Sequence, residues 1–223
     1  MTKTKARKIC FLTGSRAEYG LLSGLIKKVQ KNKSSSSQLI VTGTHLSKEY
    51  GNTIDFIIKD KIKISRKVDI SLINNTKLGV AKSLSLAVEK ISRNLNNLNP
   101  DLLILLGDRY ETFAAAVSAT ILNIPIAHIH GGETTQGAFD ESFRHSITKM
   151  SHFHFCSTKA YKKRIIQLGE NPKNVFCVGA LGIDNILSNK FLKIKQLEKE
   201  FSLPFSKKNI FITFHPVTLE KNS

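Results

Sequence analysis

Apolar runs of strand length recur along the chain and alternate with segments in which apolar residues return every three to four positions. The runs are "KICFLTG" (8–14), "QLIVTGTH" (38–45), "DLLILLGD" (101–108), "IPIAHIHGG" (124–132), "HFHFCST" (152–158), "NVFCVGA" (174–180) and "NIFITFHP" (209–216). Between them, "EYGLLSGLIKKVQ" (18–30), "KLGVAKSLSLAVEKISRNLNNL" (77–98) and "ETFAAAVSATILN" (111–123) carry the helical period. A strand that is apolar on both faces is covered on both faces, which is the situation of a parallel sheet linked by right-handed helical crossovers. The expected fold is therefore α/β, a doubly wound parallel sheet of the Rossmann type.

The polar and glycine residues gather where the apolar runs end. "TGSRAEYG", "TGTHLSKEYGN", "LGDRYET", "HIHGGETTQG", "CSTKAY", "VGALGIDN" and "TFHPVT" each follow one run. In open α/β sheets ligands bind outside the carboxyl ends of the strands, so these ends define one expected crevice. Past Asp184 the pattern changes to the charged helical stretch "NKFLKIKQLEKEFSLPF" and then a single apolar run. One strand cannot bury its own faces. Residues 1–186 read as an N-terminal Rossmann-like domain, 187–207 as a connector, and 208–223 as the start of a second Rossmann-like domain. The serine tract "KNKSSSSQ" (31–38) reads as a surface loop between helix and strand.

Composition narrows the function classes. With 223 residues and 41% hydrophobic content the chain builds a sizeable core. No stretch approaches the roughly 18 apolar residues of a membrane span, and the basic N-terminus runs straight into a strand, unlike a signal peptide. A cytoplasmic protein with no membrane partner is expected. The net charge of +17 raises nucleic acid as a partner. Its lysines are scattered among Asn and Ser as on solvated helix faces and are not interleaved with aromatic residues, so no nucleic-acid role is expected. Cys10, Cys156 and Cys177, odd in number and each within an apolar run, read as reduced core residues.

The stretch 127–155 holds five of the seven histidines. "HIH" (128–130) and "HFH" (152–154) place two imidazoles on one face of a strand, a spacing that suits a metal such as zinc. The same alternation arises when a buried strand carries histidine, and no cysteine pair or carboxylate stands at a familiar ligand spacing; no metal is expected. The acids say more. Asp108 and Glu133 end the two clearest strands, and if those strands are neighbours the two carboxylates emerge together. Asp140 and Arg144 share one face of the helix "DESFRHSITKM" at i, i+4. Carboxylates in unlike environments divide general acid and general base work. Taken singly, Asp108 and Asp140 also suit helix caps and Arg144 a surface ion pair. Arg16 in the first loop is a candidate cation for an anionic substrate, although neither a dinucleotide nor a P-loop glycine pattern is present. His45 and His130 at the strand ends and His145 on that helix are candidate binding groups.

Together, "GSRAEYGLL" (14–22), "GDRYETFAAA" (107–116), "HIHGGETTQGAFDESFRHSITKMSHFHF" (128–155), "VGALGIDNI" (178–186) and "FHPVT" (214–218) resemble the UDP-N-acetylglucosamine 2-epimerase family, specifically its hydrolysing branch. The resemblance covers nearly all of this chain and about the first half of a family member. It implies the first domain of a GT-B-like two-domain fold, with a UDP-sugar between the domains. It further implies elimination of UDP to a glycal, then addition of water to release N-acetylmannosamine for sialic-acid-type synthesis, or the equivalent reaction on a 2,4-diacetamido sugar nucleotide. By the same resemblance Asp108, Glu133 and Asp140 match the acid/base positions, Arg144 the nearby cation, Arg16 the diphosphate arginine, and His215 a histidine approaching the nucleotide. Asp140 departs from the Glu usual in simple epimerases. No cofactor is implied, and full-length relatives imply a homo-oligomer, a dimer or tetramer. If these 223 residues act alone, negligible turnover is expected, since most nucleotide contacts of the family lie in the second domain. A GT-B glycosyltransferase and a non-catalytic basic binding domain are the competing readings; the acids around Glu133 suit proton transfer better than sugar transfer.

Overall fold

The computed structural model describes residues 6–71, 76–135, 137–188, 191–206 and 208–213. Its elements run β1 (Arg7–Thr13), α1 (Arg16–Lys31), β2 (Ser35–Thr42), α2 (Ile54–Lys59), β3 (Arg66–Val68), α3 (Lys77–Leu98), β4 (Leu102–Leu106), α4 (Tyr110–Ile121) and β5 (Ile126–Ile129). They continue with α5 (Asp140–Met150), β6 (Phe153–Cys156), α6 (Lys159–Gln167), β7 (Val175–Cys177), α7 (Leu181–Ser188) and α8 (Ile194–Phe201). The seven strands form one sheet in the order β3-β2-β1-β4-β5-β6-β7, and every pairing is parallel. The doubly wound fold expected from the apolar pattern is the fold observed.

Alternation along the central strands explains the layers. Cys10 and Leu12 of β1, Leu103 and Leu105 of β4 and Ile126 of β5 pack under α3, α4 and α5. Phe11, Ile104, Leu106, Ala127 and Ile129 point the other way, beneath α1 and α2. Both faces are covered, which is why these strands carry almost no polar side chain. Four fully buried alanines, Ala114, Ala115, Ala116 and Ala119, let α4 lie close to the sheet and its neighbouring helices. The order of strands reverses between β1 and β4, so α1 and α4 diverge to opposite faces and leave a crevice above the strand ends.

Three details differ from expectation. The expected loop at 31–38 is shorter: residues 32–34 make the turn, while Ser35–Ser37 belong to β2, in register with residues 7–9 of β1. Ladder hydrogen bonds come from the backbone, so the solvent-facing start of a strand needs no apolar side chain. Strand β3 is short, polar and at the sheet edge, and its composition gives no period to detect. Cys10 and Cys156 are buried, whereas Cys177 is exposed, because it ends the edge strand β7, in which only the first residue, Val175, is covered. At the C-terminal end, α7 runs to Ser188, and Asn185 Nδ2 donates to the Gly20 carbonyl of α1 at 2.7 Å. Beyond it α8 buries none of its residues, and Ile210, Phe211 and Ile212 are exposed. The remainder of that expected strand lies outside the described residues. Among the described residues, no helix is long and apolar enough to cross a membrane.

Candidate active site

The rim of β4 and β5 builds the site. These strands are neighbours in register from Leu103↔Ile126 to Leu106↔Ile129, so the residues that follow emerge side by side. Gly107, at φ +79, donates its N–H to the Ile129 carbonyl at 3.1 Å. Its own carbonyl accepts from His128 Nε2 at 2.8 Å, which fixes the tautomer: Nδ1 is the acceptor and faces the Thr148 hydroxyl at 3.1 Å. Burial pushes the His128 imidazole down to about 3, so it stays neutral. This clamp sets the backbone from which Asp108 projects.

After Ile129 the chain reverses through two left-handed residues, His130 at φ +63 and Gly132 at φ +74. The Gly-Gly pair between His130 and Glu133 is steric in origin. A Cβ on Gly131 would stand 3.0 Å from both His128 Nδ1 and Thr148 Oγ1, and one on Gly132 2.6 Å from the Tyr161 carbonyl. The turn thus slots between α5 and α6, and Arg164 Nη1 donates to the Gly132 carbonyl at 2.5 Å. The reversal brings Glu133 back to His130, whose Nδ1–H donates to Glu133 Oε1 at 2.6 Å. Ser157 Oγ donates to the same oxygen at 2.8 Å.

Arg144 joins the two strand ends. Its Nη2 contacts Asp108 Oδ2 and donates to Thr135 Oγ1 at 3.1 Å, while Nη1 donates to the His130 carbonyl at 3.0 Å and lies 3.9 Å from Glu133 Oε2. The guanidinium is almost fully buried. The i, i+4 spacing does put Asp140 and Arg144 on one helix, but the ion pair goes to Asp108, across the rim. Asp108 caps nothing: the N-cap of α4 is Arg109. The three acids then differ. Burial opposes ionisation of Glu133, yet the His130 and Ser157 hydrogen bonds and the nearby cations hold its carboxyl below the usual range. Burial raises Asp108 against the pull of Arg144, and burial together with the Asp108 charge raises Asp140.

A second charged cluster fills the crevice beside β1. Ser15 caps α1 and Glu18 completes a capping box, its Oε2 accepting from the N–H groups of Gly14 at 2.7 Å and Ser15 at 3.0 Å. Burial lifts Glu18 to about 7, opposed by Arg109 and reinforced by Glu111. Arg109 forks onto the fully buried Glu111, with Nε at 3.2 Å and Nη2 at 3.0 Å. Glu111 passes directly beneath the first loop: a Cβ on Gly43 would meet its Oε1 at 2.7 Å and the Gly14 carbonyl at the same distance. None of Glu18, Arg109, Glu111 and Ser157 stands out in the sequence as a site residue, and His128 does so only through the HIH spacing that suits a metal. The Ser15-x-x-Glu18 capping pattern is the local signal for Glu18.

Of the expected site residues, the structure brings together Asp108, Glu133, Arg144 and His130, with Asp140 near enough to feel Asp108. His45 is not open to a ligand. It is fully buried, Nε2 at 3.0 Å from Thr13 Oγ1 and Nδ1 at 2.8 Å from Thr53 Oγ1, and burial lowers it to about 4. It holds the second loop to β1 instead of presenting a free nitrogen. Arg16 is exposed, its guanidinium stacked 4.6 Å above the Phe56 ring. His145 turns toward Glu141, 3.6 Å away, on its own helix. His215 lies outside the described residues. Among the described residues no group of three potential ligands stands close enough to hold a metal; His128 and His154 are in register on neighbouring strands, but His154 Nε2 pairs with Glu170 at 3.1 Å.

Comparison with known proteins agrees with the fold and the family resemblance. The family model for UDP-N-acetylglucosamine 2-epimerase matches residues 27–223. A Campylobacter jejuni protein named GDP/UDP-N,N'-diacetylbacillosamine 2-epimerase (hydrolyzing) is 46% identical over 96% of this chain and 55% of its own length. The Escherichia coli polysialic acid biosynthesis protein P7 is 42% identical over 97% of this chain, again covering 55% of the relative. The crystal structure of UDP-GlcNAc 2-epimerase from Neisseria meningitidis bound to UDP-GlcNAc superimposes with a TM-score of 0.71 at 21% identity, over 87% of this chain and 51% of that one. The chain spans about half the length of these relatives.

Proposed function

Because the chain belongs to the UDP-N-acetylglucosamine 2-epimerase family, we propose that the β4–β5 rim is the acid/base half of a hydrolysing 2-epimerase acting on a UDP-linked 2-acetamido sugar. The observation that carries this reading is the inequality of the three acids around one buried arginine. Glu133 is held ionised and Asp140 is inclined toward protonation, the division that an elimination and the following addition require. In the first step Glu133 takes the C2 proton, the C2–H electrons form the C1=C2 bond, and the C1–O bond breaks with its electrons leaving on UDP. In the second, a protonated acid gives its proton to C2 from the opposite face, water adds to C1, and the proton that water loses passes to the carboxylate the acid leaves behind. Arg144 and Arg109 supply positive potential beside the departing diphosphate, with Arg16 a further cation on the first loop. The second domain of a GT-B-like pair holds the uridine, with His215 contributing to the nucleotide site. Residues 187–207 serve as the connector to that domain. The protein works in the cytoplasm as a homo-oligomer.

The preferred product is N-acetylmannosamine, for sialic-acid-type synthesis. The name of the 46%-identical relative favours a second reading for the sugar, a 2,4-diacetamido hexose. A polypeptide carrying this chain and a second domain is incubated with UDP-N-acetylglucosamine and, separately, with the UDP-diacetamido sugar in D2O. Free 2-epimeric sugar deuterated at C2, plus UDP, is expected from one of them. A nucleotide-linked epimer would identify a non-hydrolysing enzyme, and transfer to an acceptor a glycosyltransferase.

A further inference from the structure

The carboxyl of Glu133 is held asymmetrically. Both donors that reach it, His130 Nδ1–H at 2.6 Å and the Ser157 hydroxyl at 2.8 Å, converge on Oε1. Oε2 receives no hydrogen bond among the described residues, and Arg144 Nη1 stands 3.9 Å away, within its field but outside bonding range. The two donors come from different elements. His130 sits on the turn after β5, in the left-handed conformation. Ser157 sits on the loop between β6 and α6 and was not singled out by any motif.

Ser157 is fixed from both sides. The β5–β6 ladder pairs Ile129 with Phe155, and the His130 N–H donates to the Phe155 carbonyl at 3.0 Å, which sets the two loops opposite one another. On its other side, Thr158 caps α6 by accepting from the Tyr161 N–H at 3.3 Å. A residue held between a strand and a helix cap presents its hydroxyl in one place.

We propose that Ser157 is a positioning residue which, with His130, commits Oε1 of Glu133 to the protein and leaves Oε2 as the only oxygen that exchanges a proton with substrate. This rests on the reading of Glu133 as the base. The chemistry follows from hydrogen-bond polarity. A proton arriving on Oε2 leaves Oε1 a carbonyl-type oxygen, which still accepts from both donors, so the network survives in either protonation state without rearrangement. A proton on Oε1 would face two donors and is excluded. Two donors from separate elements also block rotation of the carboxylate, which would otherwise exchange the oxygens.

The test follows the Glu133 side-chain carboxyl by 13C NMR titration of the 223-residue chain. In Ser157→Ala the Glu133 midpoint moves up, because the ionised form loses a donor, while Ser157→Thr, which keeps the hydroxyl, restores it. In a two-domain polypeptide, Ser157→Ala lowers kcat about tenfold with KM little changed and moves the acid limb of the pH profile upward, again restored by Thr. An unmoved Glu133 midpoint in Ser157→Ala, with the backbone spectrum otherwise intact, overturns the proposal; so does a kcat loss that Thr does not restore. Glu133→Gln separates the two claims: retained turnover there refutes Glu133 as the base, whatever the titration shows.

Discussion

Arg144 ties more of the rim together than any of the acids around it. One guanidinium contacts Asp108, Thr135 and the His130 carbonyl, and its field reaches Glu133. Removing it leaves the partly buried Asp108 carboxylate without its partner and frees the turn that carries Glu133. Arg144→Ala is expected to cost about 3 kcal/mol in urea denaturation and about 100-fold or more in kcat/KM of the two-domain protein. Arg144→Lys recovers part of the stability but little of the activity, since a single ammonium cannot make three divergent contacts. His130 is a different case. Its left-handed backbone costs on the order of 1 kcal/mol in a residue with a Cβ, and the hydrogen bond from its imidazole to Glu133 offsets that cost.

At the scale of elements, the turn between β5 and α5 is the part most sensitive to shape. Gly132 combines a left-handed φ with a carbonyl 2.6 Å from where a Cβ would be, so Gly132→Ala is expected to destabilise by about 2 to 4 kcal/mol. Gly20, on the open side of α1 with nothing near its Cβ position, is a control whose alanine variant melts at or above the parent temperature. The strands that support this turn were legible in the sequence because β1, β4 and β5 are buried on both faces and so read as unbroken apolar runs. Strand β3 was not, since three residues at a sheet edge follow no hydrophobic period. The same contrast holds at the site. Asp108, Glu133 and Arg144 could be found because each marks the end or face of a legible element. Ser157 could not, because its contact with Glu133 joins residues 24 apart through a strand pairing that no local pattern encodes. His45 was misread for a related reason: a histidine at a strand end is open or buried according to the loop folded over it, here the segment carrying Thr53.

For the whole molecule, the buried imidazoles make stability depend on pH. His128 titrates at about 3 and His45 at about 4 in the fold, against 6.5 in an unfolded chain. Between pH 6.5 and 4 the unfolded state therefore binds more protons at these sites, and stability falls as pH falls. Glu18 acts in the opposite sense, since its folded value of about 7 exceeds the unfolded 4.5 and the fold gains a proton across that range. Two groups outweigh one, so the urea midpoint is expected to drop from pH 7 to pH 5, less steeply in His128→Gln. The strand order has a consequence in time. On one side β1 pairs with β2, but its other edge waits for β4, about 90 residues further along the chain. At a synthesis rate of about 5 to 20 residues per second, that edge stays bare on the ribosome for roughly 5 to 18 seconds. A polypeptide ended at residue 100 keeps it bare for good and is expected to appear in the insoluble fraction, whereas one ended at residue 188 is recovered in the supernatant. A strand that lies inside the finished sheet is thus an edge strand for much of its synthesis.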